Sequence, residues 1–474
     1  MAIKSLCCFL KARRELFIVL VVFIVSRIVY SLYFGMHFDD TPLYSFSQYI
    51  DISLLKGNLM QSLYYLHSQP PGFNLFLGIV LKFFPQHLPD VFHLLYLILG
   101  LILSFSIFLI MKEMRVRSFI ALSLTALFIA SPIVFKYENW LFYEYPTAAF
   151  LALSLLCLQR FMLYKRTVDC FNFFLLLTII IYTRGLFSLY WFLLVLLSLL
   201  AINRQDWKKI LGACLLPAIL LFALYTKNFM VFNSFSVNDA EIGVNLARAI
   251  NQSLPPNIVD DLISKGEISG LVKIEPFSTD LSLYTHYGIR QVKTGIPVLD
   301  DSSRDGQYGN THNLIYLDAS RVNIRDAVYV FRNYMGYIFK NRKEVFLNNY
   351  FLPSDQCEYF YAGGESKQVD RFYKKFILWS IGKNKFLLLI LGLPVLFVYA
   401  FYKFLRSFCS KSKDFWMRSV FAFILISIIY LTVITVFAWT DYSRYRFLVD
   451  SFYLVLFGIL INDLVDLFFP LIGK

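Results

Sequence analysis

Charged residues are scarce in this sequence. They make up 16% of its 474 residues, whereas a soluble domain carries roughly 25%. Hydrophobic residues account for 58% and aromatic residues for 18%, with 50 Phe and 31 Tyr. Long apolar stretches recur along the chain, and each one is a candidate membrane-spanning helix. The composition therefore argues against a soluble domain and indicates a polytopic membrane protein.

Cysteine is also rare, and its placement excludes disulfide stabilisation of the long polar stretch at residues 227–375, here called the central segment. Of the 7 cysteines only Cys357 falls in this segment, and no cysteine spacing is typical of a zinc site. The sequence also lacks a glycine-rich phosphate-binding loop, so no nucleotide-sugar site is expected. We expect no cofactor and no metal-binding residues, while the need for a divalent cation stays open.

Positive charge is distributed unevenly. The central segment holds 17 Lys+Arg and 17 Asp+Glu, so the formal net charge of +13 comes entirely from the rest of the chain. That excess lies in short turns between apolar runs, which is how membrane proteins mark their cytoplasmic loops. The charge is therefore explained without nucleic acid, and no nucleic-acid partner is expected.

The apolar runs predict an all-α polytopic membrane protein with about ten spanning helices and both termini cytoplasmic. The first run is not closed by a small-residue cleavage site, so we expect a retained anchor. The predicted helices lie near residues 15–33, 91–111, 119–135, 147–163, 171–182, 186–201, 210–225, 386–404, 420–438 and 447–467.

Three regions follow from these helices. They are an N-terminal transmembrane module (1–226), the central segment, and C-terminal transmembrane helices (376–474). The central segment, of mixed structure, and the loop at residues 35–90, here called the first loop, are predicted on the outer side of the membrane (periplasmic, extracellular or lumenal). The first loop should form short surface helices, and residues 325–350 an amphipathic helix on the membrane.

Asp39 and Asp40 follow the first spanning helix. Adjacent carboxylates repel each other, and an apolar surface desolvates them partly. Both effects raise the pKa of a carboxyl group, and a raised pKa suits a general base. The pair is therefore the candidate set of catalytic residues. The alternative is a pair of solvated loop acids or a helix cap.

Polar groups near aromatic rings on the same side of the membrane are candidates for binding sugar or acceptor. His67 and Gln69 precede a double proline, and Glu138, Asn139 and Glu144 lie among tyrosines and a tryptophan. Aromatic faces with carboxylates suit carbohydrate. Aromatic residues also belong at membrane interfaces, and the prolines have a structural explanation.

Basic residues on the outer side run against the inside bias of positive charge. Arg184, Lys227, Arg444 and Arg446 occupy such positions. Ionisable groups between apolar runs usually face a cavity, and arginine binds phosphate through two parallel hydrogen bonds. We therefore predict that these four residues bind a phosphate group at the membrane surface; the alternative is a set of interfacial anchors.

Taken in order, these motifs resemble the GT-C superfamily of integral membrane glycosyltransferases, in particular the protein O-mannosyltransferase and aminoarabinose-transferase type. The resemblance spans roughly residues 15–250 and 420–465. It differs from the family pattern in having Asp40 where Glu is usual and in an interrupted His-Pro-Pro element. The matching motifs are Asp39-Asp40 with Tyr44 and Gly57, the run from His67 to Pro71, Glu144 to Thr147, Tyr182-Thr-Arg184, Lys227-Asn228 with Asn245-Leu246, and Tyr442 to Arg446.

The resemblance implies a polyprenyl-phosphate sugar donor, a lipid, glycan or protein acceptor, inversion at the anomeric carbon, and a first-loop aspartate as base, with Asp39 favoured. It also implies that Tyr44 belongs to the sugar or acceptor site. The expected location is a bacterial inner or plasma membrane. Two alternatives stay open: an oligosaccharide polymerase or ligase, which would depend on outer arginines, and a lipid or glycan transporter.

Overall fold

The computed structural model describes residues 2–275, 277–304, 308–351, 385–409, 415–437 and 442–468. Cys357 and the predicted boundary at residue 376 lie outside these ranges. The described residues form helices joined by short connections, together with one two-stranded antiparallel sheet. The predicted all-α architecture is therefore confirmed for these parts of the chain.

The N-terminal half is helical throughout. Around the first loop, the helices are α1 (Ala2–Phe34), α2 (Pro42–Ser45), α3 (Ile52–Gly57), α4 (Leu59–Tyr64), α5 (Pro71–Phe83) and α6 (Leu88–Glu113). They are followed by α7 (Ser118–Ile129), α8 (Pro132–Glu138), α9 (Glu144–Tyr164), α10 (Thr167–Thr183), α11 (Leu189–Ile202) and α12 (Trp207–Phe232), with a 3₁₀ turn at Arg204–Asp206.

The central segment contains the shorter elements. These are α13 (Asp239–Ser253), α14 (Pro256–Ser264), a 3₁₀ turn (Gly270–Lys273), α15 (Ser282–His286), α16 (Pro297–Asp300), strands β1 (Ser303–Arg304) and β2 (Tyr308–Gly309), α17 (Leu314–Asn333) and α18 (Met335–Phe351). The C-terminal helices are α19 (Lys385–Cys409), α20 (Met417–Phe437) and α21 (Tyr442–Phe468).

Six of the described helices are long and apolar enough to cross a membrane, or seven if a bent pair counts as one span. The chain is therefore an integral, multi-pass membrane protein. Nine of the ten predicted segments each overlap one described helix. Helices α10 and α11, with 17 and 14 residues, are shorter than the about 20 residues that a bilayer requires. The count of about ten stays a prediction.

Two predicted helices are broken in the structure. The third predicted span is not continuous, because α7 and α8 meet at an angle of 56°. Pro132 begins α8, and a proline disfavours helical geometry in the residue before it. The single amphipathic helix predicted at 325–350 is also wrong, since α17 ends at Asn333 and α18 starts at Met335.

Helix α9 forms the centre of the bundle. It packs against α6, α10, α20 and α21, and most of its residues are buried. Small side chains such as Ala148, Ala149 and Ala152 allow neighbouring helices to approach closely. The start of α9, at Glu144, is consequently enclosed by several helices, and this is where polar groups converge.

The central segment packs onto the first loop. Arg304 is buried and donates hydrogen bonds to the backbone carbonyls of Leu43 and Phe46. Thr311 Oγ1 donates to the carbonyl of Ser47 over 2.9 Å. These contacts connect residues more than 250 positions apart in the chain, so one wall of the site depends on tertiary packing.

Candidate functional site

Two arginines converge on one carboxylate at the start of α9. The Nη2 atom of Arg184 lies 3.3 Å from Glu144 Oε1, and the Nε atom of Arg444 lies 3.2 Å from the same oxygen. All three residues are buried. The Arg184 guanidinium also lies 4.0 Å from the centre of the Tyr143 ring. One carboxylate therefore contacts both guanidiniums and fixes them side by side at the start of α9.

Local structure explains the position of each charge. Glu144 lies in the first turn of α9, where the helix dipole favours an anion. Arg184 directly follows the last residue of α10, where the dipole favours a cation. Arg444 lies in the first turn of α21, where the dipole disfavours a cation. Its ion pair with Glu144 offsets this effect.

The arginine pair faces a cavity of about 1180 Å³. Arg184, Arg444 and Gln69, three residues that the sequence singles out, all lie in its wall. Their predicted roles stay predictions. Four wall residues are apolar or aromatic and also exposed: Tyr190, Phe235, Ile242 and Ile434. Further aromatic residues of the wall are Tyr143, Tyr225, Tyr430 and Tyr445.

Glu241 also lies in the cavity wall, and the sequence analysis did not single it out. It occupies the first turn of α13, where an acidic residue is ordinarily explained by the helix dipole. Its carboxylate accepts a hydrogen bond from the Gln69 side-chain amide. Burial raises the pKa of Glu241, while the charges of Arg184 and Arg444 oppose that rise.

The predicted catalytic pair lies beside the loop between α8 and α9. The backbone of Asp39 pairs with residues 139 and 141, and Asp39 Oδ1 accepts hydrogen bonds from Thr41 N at 3.0 Å and Thr41 Oγ1 at 2.5 Å. Burial and the neighbouring Asp39 charge raise the pKa of Asp40, as the sequence predicts. Among the described residues, neither aspartate belongs to the cavity wall.

Two of the predicted phosphate-binding residues have other contacts. Lys227 Nζ donates to the backbone carbonyls of Tyr64 at 2.9 Å and Leu66 at 3.1 Å. Arg446 Nε lies 3.2 Å from Asp450 Oδ1, one turn further along α21. In the part of the chain that is described, neither residue lines the large cavity. Phosphate binding by Lys227 and Arg446 stays a prediction.

Five of the six predicted sugar- or acceptor-binding residues, all except Gln69, lie outside the described cavity wall. Glu138 is fully buried, with its carboxylate 2.6 Å from Arg27 Nη2 and 2.5 Å from the Tyr145 hydroxyl. Asn139 is buried and donates to a backbone carbonyl one turn earlier. Tyr44 is exposed on the first loop. Glu144 likewise contacts the arginines rather than the open space.

His67 belongs to a buried group, here called the histidine cluster (His67, Ser68 and His312). His67 Nε2 lies 2.9 Å from the carbonyl oxygen of His312, and Ser68 Oγ contacts His312 Nδ1. All three residues are buried. Burial lowers the pKa of His67 to about 4 and that of His312 to about 3. The cluster joins the first loop to the central segment.

No group of three or more His, Cys, Asp or Glu side chains suited to a metal ion occurs within the described ranges. The expectations about cofactors and a divalent cation therefore stay predictions.

No family model matches the sequence, and no curated protein matches it. Among solved structures, the chain is similar to the oligosaccharyltransferase of Archaeoglobus fulgidus tethered with an acceptor peptide. The identity is 12% and the TM-score 0.36, over 97% of this chain and 51% of that one. The chain thus spans about half the length of that protein, and the similarity at this level establishes no shared activity.

Proposed function

We propose that this protein is a membrane glycosyltransferase that moves a sugar from a polyprenyl-phosphate donor to an acceptor hydroxyl on the outer side of the membrane. The observation that carries the proposal is the buried pair Arg184 and Arg444. Both arginines contact the carboxylate of Glu144, and both lie in the wall of a cavity of about 1180 Å³.

The arginine pair is suited to the phosphate of such a donor. A guanidinium binds phosphate oxygens through parallel hydrogen bonds, which a lysine ammonium does not reproduce. As the sugar leaves, negative charge grows on the phosphate, and two cations fixed in a partly dry site stabilise that charge. Glu144 holds both guanidiniums in place before the donor arrives.

The cavity wall suits the other two parts of a lipid-linked sugar. The ring of Tyr445, which is only partly buried in the cavity wall, can stack on a pyranose or furanose. The exposed apolar side chains of Tyr190 and Ile434 offer a path for the polyprenyl tail toward the surfaces of α11 and α20. The volume exceeds the roughly 300–1,000 Å³ of common small-molecule pockets, as a lipid-linked sugar with its acceptor requires.

The proposed reaction requires a carboxylate base. An acceptor hydroxyl gives its proton to the base, the acceptor oxygen forms a bond to the anomeric carbon, and the bond from that carbon to the phosphate oxygen breaks. Inversion follows when the acceptor attacks from the face opposite the phosphate. Asp39 and Asp40 are the base candidates from the sequence, and Glu241 is the candidate from the cavity wall.

The proposal is tested by separating donor binding from acceptor binding. In Arg184→Ala and Arg444→Ala, loss of one charge-assisted contact of about 1.5–3 kcal/mol should weaken binding of decaprenyl phosphate by roughly 10- to 150-fold. Lysine at either position should restore binding only partly. Arg325→Ala serves as the matched control, because the Arg325 side chain is 71% exposed on α17.

Transfer is measured with synthetic polyprenyl-phosphate hexoses and pentoses, by release of polyprenyl phosphate in the presence of membrane extract as acceptor. The wild-type protein should release it, and both alanine variants should release it far more slowly at limiting donor. Unchanged donor affinity in both alanine variants, with folded protein, would remove the phosphate site and the proposed function with it.

A further inference from the structure

We propose that Glu241, rather than the first-loop pair, is the base that takes the acceptor proton. This inference rests on the glycosyltransferase function proposed above. Glu241 lines the cavity that Arg184 and Arg444 also line. The base must reach the acceptor hydroxyl while the arginines reach the donor phosphate, and both groups are bonded to the anomeric carbon during transfer. Residues that line the same cavity can meet this requirement.

Hydrogen bonds hold the Glu241 carboxylate in place. The Gln69 side-chain amide donates to it, and so does the side chain of Asn238. Gln69 belongs to the first loop and Asn238 immediately precedes α13. All three residues line the cavity. The carboxylate is therefore oriented by two elements of the fold while its residue remains partly accessible from the cavity.

The electrostatic surroundings of Glu241 suit a base. Burial raises the pKa of Glu241 above that of an ordinary glutamate, and the charges of Arg184 and Arg444 oppose that rise. A base is most effective when its pKa is shifted toward the working pH without protonation in the resting state. The charges of the two arginines therefore act on both the proposed leaving phosphate and the Glu241 carboxylate.

The proposed step balances in atoms and charge. The acceptor O–H bond breaks and its proton passes to a Glu241 carboxylate oxygen. The acceptor oxygen bonds to the anomeric carbon, and the electron pair of the broken glycosidic bond stays with the polyprenyl phosphate beside Arg184 and Arg444. Release of the proton from Glu241 to water through the cavity restores the starting state.

Glu241→Gln is the direct test. The glutamine carbonyl can still accept the hydrogen bond from Gln69, so the local structure should persist. Turnover of the synthetic donors should fall by about 10²–10⁴-fold, which is typical of losing a general base. Binding of decaprenyl phosphate should not weaken, because the change removes a negative charge that interacts with Arg184 and Arg444. Asp239→Asn is the matched control, because Asp239 lies in the same turn of α13 but outside the described cavity wall.

The pH profile separates a base from a structural residue. The wild-type turnover number should fall at acid pH as Glu241 becomes protonated, and this acid limb should disappear from the residual activity of Glu241→Gln. Glu241→Asp keeps a carboxylate on a shorter side chain and should recover part of the turnover. The acid limb and the recovery in Glu241→Asp both report on the base, so they distinguish its loss from a loss of stability.

The outcomes distinguish this inference from the function on which it rests. If wild-type protein transfers sugar and Glu241→Gln keeps more than half of the turnover with its acid limb, Glu241 is not the base. Loss of turnover in Asp39→Asn or Asp40→Asn alone would then return the role to the first loop. If wild-type protein neither binds decaprenyl phosphate nor releases it from any donor, the proposed function itself fails.

Discussion

Acidification should separate the central segment from the first loop by charging the histidine cluster. The pKa of His67 is lowered to about 4, chiefly by burial, and the charges of Lys227 and Arg321 add to the effect. The pKa of His312 is lowered to about 3 by burial, by His67 and by Arg304. Both rings are therefore neutral in the docked structure at neutral pH.

The sign and size of the effect follow from linkage. In the separated state both histidines regain an ordinary pKa of about 6.5, so that state binds more protons below this pH. The contribution of the two neutral histidines to docking of the central segment on the first loop is fully present above about pH 6.5. It is lost as the pH falls toward 4. At pH 5 the loss amounts to about 2 kcal/mol for each histidine, because pH 5 lies about 1.5 units below 6.5.

Hydrogen–deuterium exchange between pH 8 and pH 5 measures this opening after correction for the intrinsic exchange rate. Amides around residues 67–69 and 310–313 should lose protection at pH 5. The double variant His67→Gln/His312→Gln cannot take up these protons, so its protection should be nearly independent of pH in this range. The reasoning is refuted if wild-type and double-variant proteins lose protection equally between pH 8 and pH 5.

Two further predictions concern topology and packing. In a cysteine-free background, cysteine at position 293 should react with an impermeant label from outside, and cysteine at position 208 should not. Both positions are occupied by exposed lysines, Lys293 and Lys208. Labelling of position 208 but not of position 293 would show that the topology is inverted. Gly72→Ala should destabilise the protein by about 1–3 kcal/mol, because a Cβ atom would lie 2.5 Å from the carbonyl oxygen of Tyr182. Gly212→Ala, with nothing within 4 Å, should not destabilise it in the same thermal unfolding assay.

The helices could be predicted from the sequence because each apolar run determines its own structure. Nine of the ten predicted segments each overlap one described helix, and most differences are of a few residues at the ends. The bend before Pro132 was missed although its local signal was present, since a proline disfavours helix in the preceding residue. The break between α17 and α18 at Tyr334 had no comparable signal.

The candidate site was predictable only in part. Arg184 and Arg444 could be identified because each is a charge between apolar runs, and such charges usually face a cavity. Glu241 could not, because its role depends on contact with Gln69, 172 positions earlier in the chain. Glu138 is likewise a charged residue next to apolar sequence and so resembles a site residue. Its partner, Arg27, lies 111 positions away in the chain and holds it inside the bundle.

The central claim is that Arg184 and Arg444 together hold the phosphate of a polyprenyl lipid. Native mass spectrometry of the purified protein mixed with decaprenyl phosphate and excess phosphatidylglycerol tests this claim most directly. The wild-type protein should retain decaprenyl phosphate in preference to phosphatidylglycerol, the Arg325→Ala control should behave in the same way, and the double variant Arg184→Ala/Arg444→Ala should lose the preference. Equal retention of decaprenyl phosphate by the wild-type protein and the folded double variant would contradict the account.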